Sequence, residues 1–342
     1  MKNKQKIKVA VGMSGGVDSS VAALLLQQQC YEVVGIFMKL CPAIESKQDA
    51  RQVADKLDIP FYTLNLKTPF KNKVVDNFIK GYQQGKTPNP CILCNKYIKF
   101  GEFYKKARAL GCDYIATGHY AESRAGKLYR AKDTEKDQSY FLYTLKSREL
   151  KKIIFPLANL TKAEVRKIAQ KNKLSVFNKH DSQDICFVPD NDYREFLKLY
   201  LKPKPGQIID QAGEVVGKHT GLPNYTFGQR SGLNIKNGQG PYFVVKMSQK
   251  KNQLVVTNDK KQAVLNSKIF KLKNTSWVNK KPTKSFTGQV KIRYSQKSYP
   301  AKIILENKKY RGELKKPLRA ITPGQHCVIY NKNQVLGGGE IV

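Results

Sequence analysis

The residues with the clearest chemistry sit in one turn near the N-terminus. Positions 9–20 read VAVGMSGGVDSS: an apolar run enters a glycine- and serine-rich turn, and helical apolar residues follow at 21–26. Gly12, Gly15 and Gly16 permit tight turns and close approach of an anion to the backbone. Successive N–H groups, with the positive end of a helix starting near Ser19, make an anion-binding nest. Ser14 and Ser19 add hydroxyl donors, and Met13 and Val17 complete the loop. The Gly-Lys-Ser/Thr ending of the common ATP loop is missing, because Asp18 stands before Ser19. A carboxylate is a poor phosphate ligand, so Asp18 suits a Mg²⁺ ion or a helix cap.

Two further stretches supply thiols. Residues 85–101, GKTPNPCILCNKYIKFG, place two prolines and Asn89 before a basic, aromatic helix. Cys91 and Cys94 have the spacing of zinc half-sites, redox pairs and iron–sulfur half-sites. No second clear pair completes a zinc site. The helix start and Lys96 lead to an expectation of lowered thiol pKa values. Cys186 lies in HDSQDICFVPDNDYREF, 180–196, where Ile185, Phe187 and Val188 suggest a short strand or a buried loop. A nucleophile and a partner thiol from separate segments are what reversible thiol exchange requires. Seven cysteines, odd in number and scattered, argue against a structural disulfide framework.

These side chains need a scaffold. Strand signals at 8–11, 33–38, 61–64 and 114–117 alternate with helical signals at 19–29, 46–57, 70–82 and 98–110. That alternation predicts an α/β domain with a parallel sheet, whose ligands bind at the carboxyl ends of the strands. Gly12, Met38 and Gly118 fall at or just past such ends and would share one crevice. Thr161 and Glu164 make a capping box for a helix over 161–172, and 193–200 reads as another helix. The Pro/Gly-rich LKPKPGQIID, 201–210, then breaks the pattern. Beyond it, runs at 206–210, 242–247, 253–257, 285–292, 302–305, 325–330 and 334–342 read as an all-β half. The expected domains are 1–205, 206–266 and 267–342.

Charge narrows the partners. Lys and Arg number 62 against 26 Asp and Glu, a formal net charge of +36, and residues 267–342 alone hold 17 against 3. So basic a chain points to a polyanion, with nucleic acid first. No apolar run reaches the roughly 18 residues of a membrane span. The basic N-terminal residues lead into a nucleotide-type strand and turn, not a secretory signal. A cytoplasmic address without a membrane partner is expected.

The turn at 12–19 resembles the PP-loop of the ATP pyrophosphatase superfamily. The resemblance implies cleavage of ATP between its α- and β-phosphates, adenylation of a substrate, and a loop that holds the departing pyrophosphate. Together with the two cysteine segments, in this order and at these spacings, the chain resembles the bacterial tRNA-specific 2-thiouridylases. TGHYA (117–121), KDQSYFL (136–142), FPLANLTKAEVR (155–166), YTFGQRSGL (225–233), Arg293-Tyr294 and ITPGQHCVIY (321–330) carry that resemblance toward the C-terminus. It implies an N-terminal PP-loop domain of the adenine nucleotide alpha hydrolase type, a small central β-rich domain and a C-terminal β-barrel that helps clamp tRNA. It also implies replacement of O2 of the wobble uridine by sulfur, at the cost of ATP. Gly12 to Ser19, Met38 and Gly118 would bind ATP with Mg²⁺. Cys186 would carry a persulfide delivered by a sulfur-relay donor protein, and Cys94 would be the nucleophile that closes a transient disulfide with it. Asn89, Pro90 and Cys91 would surround the target base, flipped out because C2 is unreachable in a stacked loop. His119, Lys136, Asp137, Gln138, Arg293, Tyr294 and Gln325 would contact tRNA.

One position departs from the family pattern. Cys91 stands where the best-known members have an aspartate proposed to assist proton transfer. Three converging cysteines, Cys91, Cys94 and Cys186, would also suit a [4Fe–4S] cluster, an alternative route to the same thiolation. A small-molecule amide synthetase would need no cysteine pair and no basic C-terminal segment. An RNA-binding protein with a degenerate nucleotide loop would not keep Ser14-Gly-Gly-Val-Asp-Ser19 intact.

Overall fold

A computed structural model describes residues 6–41, 46–180, 185–261 and 265–342. The chain opens with strand β1 (Lys8–Gly12), helix α1 (Val17–Gln28), strand β2 (Glu32–Lys39), helix α2 (Lys47–Lys56) and strand β3 (Phe61–Asn65). Strand β4 (Tyr114–Thr117), a hairpin of β5 (Glu122–Arg124) and β6 (Lys127–Tyr129), and the short β7 (Ile153–Ile154) follow. The main sheet has the order β3-β2-β1-β4-β7, and all its pairs are parallel. Both faces of β1 are covered. Val9 and Val11 enter the core that holds α1 and α2, while Ala10 packs on the opposite face with Ile115 and Phe103. This two-sided burial explains why these strands read as continuous apolar runs.

The helical residues differ from the expectation mainly at their starts. The helix expected over 98–110 belongs to a longer rod: Pro90–Leu93, a π-helical stretch Cys94–Glu102, and Phe103–Ala109. The one expected over 70–82 likewise begins at Lys67 and includes a π-helical turn, Lys71–Val75. The capping box at 161–164 is formed: Thr161 Oγ1 accepts from the Glu164 N–H, and the Glu164 carboxylate accepts from the Thr161 N–H at 2.6 Å.

The second half is β-structure, as expected. Strands β8 (Gly206–Ile209), β9 (Val215–His219), β10 (Phe243–Ser248) and β11 (Gln253–Thr257) form a sheet of order β10-β11-β8-β9. The last strands are β12 (Asn266–Trp277), β13 (Phe286–Lys291), β14 (Tyr299–Glu306), β15 (Lys309–Arg319), β16 (His326–Asn331) and β17 (Gln334–Ile341). They run β12-β15-β14-β13-β16-β17, and pairing of β17 with β12 closes a six-stranded barrel. The β5–β6 hairpin of the first half joins this barrel, with Gln334 opposite Tyr129 and Val335 opposite Leu128. A shared sheet therefore ties the barrel to the nucleotide-type domain. Among the described residues no helix is long and apolar enough to cross a membrane.

The sequence reading has no strand for β9, β12 or β15, and the two barrel strands are the longest such gaps. Both carry several lysines, most of them exposed: Lys268 and Lys271 on β12, and Lys309, Lys315 and Lys316 on β15. Their inward apolar pattern is also broken at Gly312, where the Phe270 ring fills the space a Cβ would take, 2.1 Å away.

Candidate active site

The loop between β1 and α1 is held from outside as well as from within. Gly15 has φ +75°, and a Cβ there would stand 2.1 Å from the Ser46 carbonyl oxygen, so conformation and space both demand glycine. Ser46 Oγ donates to the Ser14 carbonyl at 2.7 Å. The Ser14 N–H donates to Ser19 Oγ at 3.1 Å, and the two hydroxyl oxygens are 3.2 Å apart. Lys179, from far along the chain, donates to the Gly15 carbonyl at 3.1 Å and pairs with Asp49. Helix α1 starts at Val17 with Gly16 as its N-cap. Its first-turn N–H groups lack intrahelical acceptors, as at any helix start, and a helix start of this kind can receive an anion.

Asp18 neither caps the helix nor stands free for a metal. No side chain caps α1. The Asp18 carboxylate takes both oxygens to Lys162 Nζ, at 2.7 and 2.8 Å, and accepts from the Tyr120 hydroxyl at 2.8 Å. The residues around Asp18 thus fit an ion pair rather than a Mg²⁺ site. Gly118 follows β4 and lies on the same turn of α1: a Cβ there would come within 2.6 Å of the Ser19 nitrogen. Met38, at the end of β2, reaches Gly12 and belongs both to the core under the sheet and to the cluster that holds the thiols. The carboxyl ends of β1, β2 and β4 therefore converge as the strand pattern requires.

The thiols gather beside this crevice. Cys94 is buried in a cluster with Leu40, Phe70, Phe78 and Phe187. Cys186 lies at the exposed rim of the same cluster, next to Phe187, and the Cys41 Sγ–H donates to its carbonyl oxygen at 3.9 Å. Residues 181–184 of that segment lie outside the described residues. Burial pushes the Cys94 thiol up to about 11. It raises Cys91 and Cys186 as well, and at Cys186 the charges of Cys94, Cys91 and Cys41 add to the effect. The lowered pKa values expected from the helix start and Lys96 are therefore not found. The helix begins at Pro90, so Cys94 sits a full turn in, away from the free N–H groups. Lys96 points outward over the Tyr97 ring at 4.9 Å. Lys99 is the cation that acts on Cys91, Cys94 and Cys186. The thiols converge without ligand geometry: among the described residues no group of three or more His, Cys, Asp or Glu side chains is arranged to hold a metal ion.

A cavity of about 830 Å³ opens where the three regions meet. Thr87 and Asn89 line it from the first half, Thr226 and Gln229 from the connection between β9 and β10, and Arg293, Tyr294 and Gln325 from the C-terminal half. Gln325 Nε2 donates to the Thr87 carbonyl at 3.1 Å, and the Thr87 N–H donates to the Pro323 carbonyl. Arg293 is anchored by donation to the Ala320 carbonyl and Thr322 Oγ1, both at 2.6 Å. Tyr294 stacks obliquely on Phe141, centroids 4.4 Å apart. Pro90 is buried as the first residue of its helix.

The structure adds Arg194, Arg319 and the 226–229 stretch to this cavity. The run YTFGQRSGL was visible in the sequence but carried no chemical signal of its own.

The other expected tRNA contacts lie elsewhere. His119 is buried between Phe100 and Phe155, bonded to Thr117 Oγ1 at 2.8 Å, and burial holds its pKa well below the usual histidine range. Asp137 is 2% exposed and accepts from the Ala131 and Ser139 N–H groups and the Ser139 hydroxyl. It therefore shapes the loop that presents half-buried Lys136 and Gln138, and the Gln138 side-chain Oε1 accepts from the Tyr120 N–H.

Comparison with known proteins covers the chain end to end. The family profile described as tRNA methyl transferase HUP domain matches residues 7–190, its PRC-barrel domain 194–258, and an aminomethyltransferase beta-barrel domain 267–341. The tRNA-specific 2-thiouridylase MnmA of Carboxydothermus hydrogenoformans is 44% identical over 98% of this chain and 97% of its own length. That of Clostridium acetobutylicum is 42% identical over 98% and 99%. A solved 4-thiouridine synthetase–RNA complex with bound ATP is a remote neighbour, with TM-score 0.36 and 17% identity over 56% of this chain and 50% of that one. Matched by these domain profiles in turn and 44% and 42% identical to these relatives over nearly its whole length, this chain belongs to the tRNA-specific 2-thiouridylase MnmA family.

Proposed function

We propose that this chain catalyses ATP-dependent 2-thiolation of the wobble uridine of tRNA. The observation that supports the reading is that Cys94 is buried in a cluster joined by Ile185 and Phe187, the neighbours of Cys186, and contacted by Met38, beside the Gly/Ser loop. Carbonyl oxygen is a poor leaving group, so O2 of uridine first attacks the α-phosphorus of ATP and pyrophosphate leaves. The loop Gly12–Ser19 retains that pyrophosphate, which removes the need for the missing lysine. The terminal sulfur of a Cys186 persulfide then bonds to C2, and AMP leaves with the oxygen. Cys94, as thiolate, attacks Cys186 Sγ. The bond from Cys186 to the transferred sulfur breaks, its electron pair stays on the sulfur at C2, and a Cys94–Cys186 disulfide forms. A dithiol reductant supplies the two electrons and two protons that reopen it. A persulfide-carrying donor protein recharges Cys186.

The cavity between the three regions is the place we assign to the anticodon loop. Tyr294 offers a stacking face, and Arg194, Arg293 and Arg319 offer charge for phosphates. Asn89, Pro90 and Cys91 border the target base, while His119, Lys136, Asp137, Gln138 and Gln325 shape or contact the bound RNA. The working domains are 1–205, 206–266 and 267–342, in a cytoplasmic protein. The test is tRNA-dependent release of pyrophosphate together with 2-thiouridine in the product, with ATP, cognate tRNA and a persulfide donor present. Pyrophosphate release that ignores tRNA would overturn the reading. The cluster route is tested by anaerobic purification with iron analysis and visible spectra; an iron-free chain that turns over with a persulfide donor excludes it.

A further inference from the structure

Sulfur transfer runs through anions, and a buried thiol cluster resists them. The rod that begins at Pro90 changes its winding at Cys94 and stays π-helical to Glu102. In an α-helix, residues five apart are turned by about 140° from one another. In a π-helix, the hydrogen bond closes between residues five apart, so side chains at that spacing return to nearly one face. Cys94 and Lys99 are five apart within this stretch. The unusual winding therefore brings a lysine round to the thiol face, while Lys96 and Tyr97 stay exposed outside.

The surroundings are short of other countercharges. The titratable groups that meet here are Cys41 after β2, Cys91 and Cys94 on the rod, His119 after β4, Cys186 and Tyr294. Lys99 is half-buried among them, and no carboxylate of the described residues forms an ion pair with it. His119 is neutral in its apolar slot and adds no positive charge. With a cysteine at position 91, no carboxylate on this helix turn draws the ammonium away from the sulfurs.

We propose that Lys99 is a positioning residue of this site, its ammonium the countercharge for the sulfur anion as it passes between Cys186 and Cys94. The assignment rests on the thiol roles proposed above, and its test needs neither ATP nor tRNA. The rate of iodoacetamide alkylation at Cys186 and at Cys94 is followed by peptide mass spectrometry between pH 6.5 and 10. Wild type, Lys99→Met, Lys99→Gln and Lys99→Arg are compared, with melting curves for each. Loss of the charge should slow alkylation of both thiols at pH 8 by about three- to tenfold and move the profile to higher pH. Lys99→Arg should stay within about twofold of wild type. Equal profiles for wild type and the two neutral variants would overturn the proposal, as would an Arg variant as slow as Met. Thiolation of tRNA without the alkylation shift would remove Lys99 alone. The shift without any thiolation would overturn the function and leave the electrostatic assignment standing.

Discussion

The Gly/Ser loop and the thiol cluster share one crevice but solve opposite electrostatic problems. In the loop every strong charge already has a partner: Asp18 with Lys162 and Tyr120, Lys179 with Asp49. The donors it offers are backbone N–H groups and two serine hydroxyls, which need no proton movement to work. In the thiol cluster burial holds the sulfurs protonated, and Lys99 alone pulls Cys91, Cys94 and Cys186 the other way. The first region is set before substrate arrives. The second is chemically quiet at rest, because raised pKa values leave little thiolate to react at neutral pH. Preorganised binding and suppressed reactivity thus sit side by side.

The contrast is open to attack from its strongest side first. Cys186→Ser and Cys94→Ser should each abolish 2-thiouridine formation, by at least about a thousandfold, and leave tRNA affinity within about twofold. Nucleoside mass spectrometry and filter binding read the two effects, and residual 2-thiouridine in Cys186→Ser would refute the carrier role. Gly15→Ala attacks the loop instead. A Cβ 2.1 Å from the Ser46 oxygen, at positive φ, should reduce pyrophosphate release more than about tenfold. Thiol alkylation in that variant should match wild type, since the two regions are held by different contacts; a change in both would show the crevice to be one unit.

Lys162→Met should leave Asp18, two-thirds buried, without its cation. The expected loss is about 1–3 kcal/mol of stability by denaturant unfolding, less than for a fully buried pair. An unchanged midpoint would mean that the pair contributes only geometry. The smallest effects are expected from pH. His119 and His326 have folded pKa values below their unfolded ones, His326 near 4, both because of burial. The unfolded chain takes up their protons first, so stability should fall as pH drops from about 6.5 toward 4. Cys94 behaves in the opposite sense: its folded pKa is raised, the unfolded thiol ionises first, and stability should fall as pH rises from about 9 toward 11. Melting temperatures at pH 5, 7.5 and 10 check both flanks; a flat response at pH 10 would argue against a protonated, buried Cys94.

Much of this molecule is written locally. The strand–turn–helix at 8–28, the parallel α/β pattern and the capping box at Thr161 depend on residues close in sequence, and local chemistry reveals such features. The barrel was less legible. Strands β12 and β15 point lysines outward, and Gly312 yields its inward place to Phe270, so no run of apolar residues marks them. Among site residues, Asn89, Arg293, Tyr294 and Gln325 do meet around one cavity, whereas His119 and Asp137 are buried. Nothing in a sequence tells whether a polar side chain turns toward solvent or toward the core, because that depends on what packs over it.

By itself, then, the sequence determined the Gly/Ser-rich turn between a strand and a helix, the presence of thiols in separate segments and a basic β-rich second half. Glycine conformational freedom, residue type and net charge are properties that short stretches carry alone. Only the tertiary structure decided which cation faces the sulfurs, Lys99 rather than Lys96, and that the thiols rest protonated. Helix winding, burial and the meeting of β2, the Pro90 rod and the Cys186 loop set those charges, and each is a consequence of long-range packing.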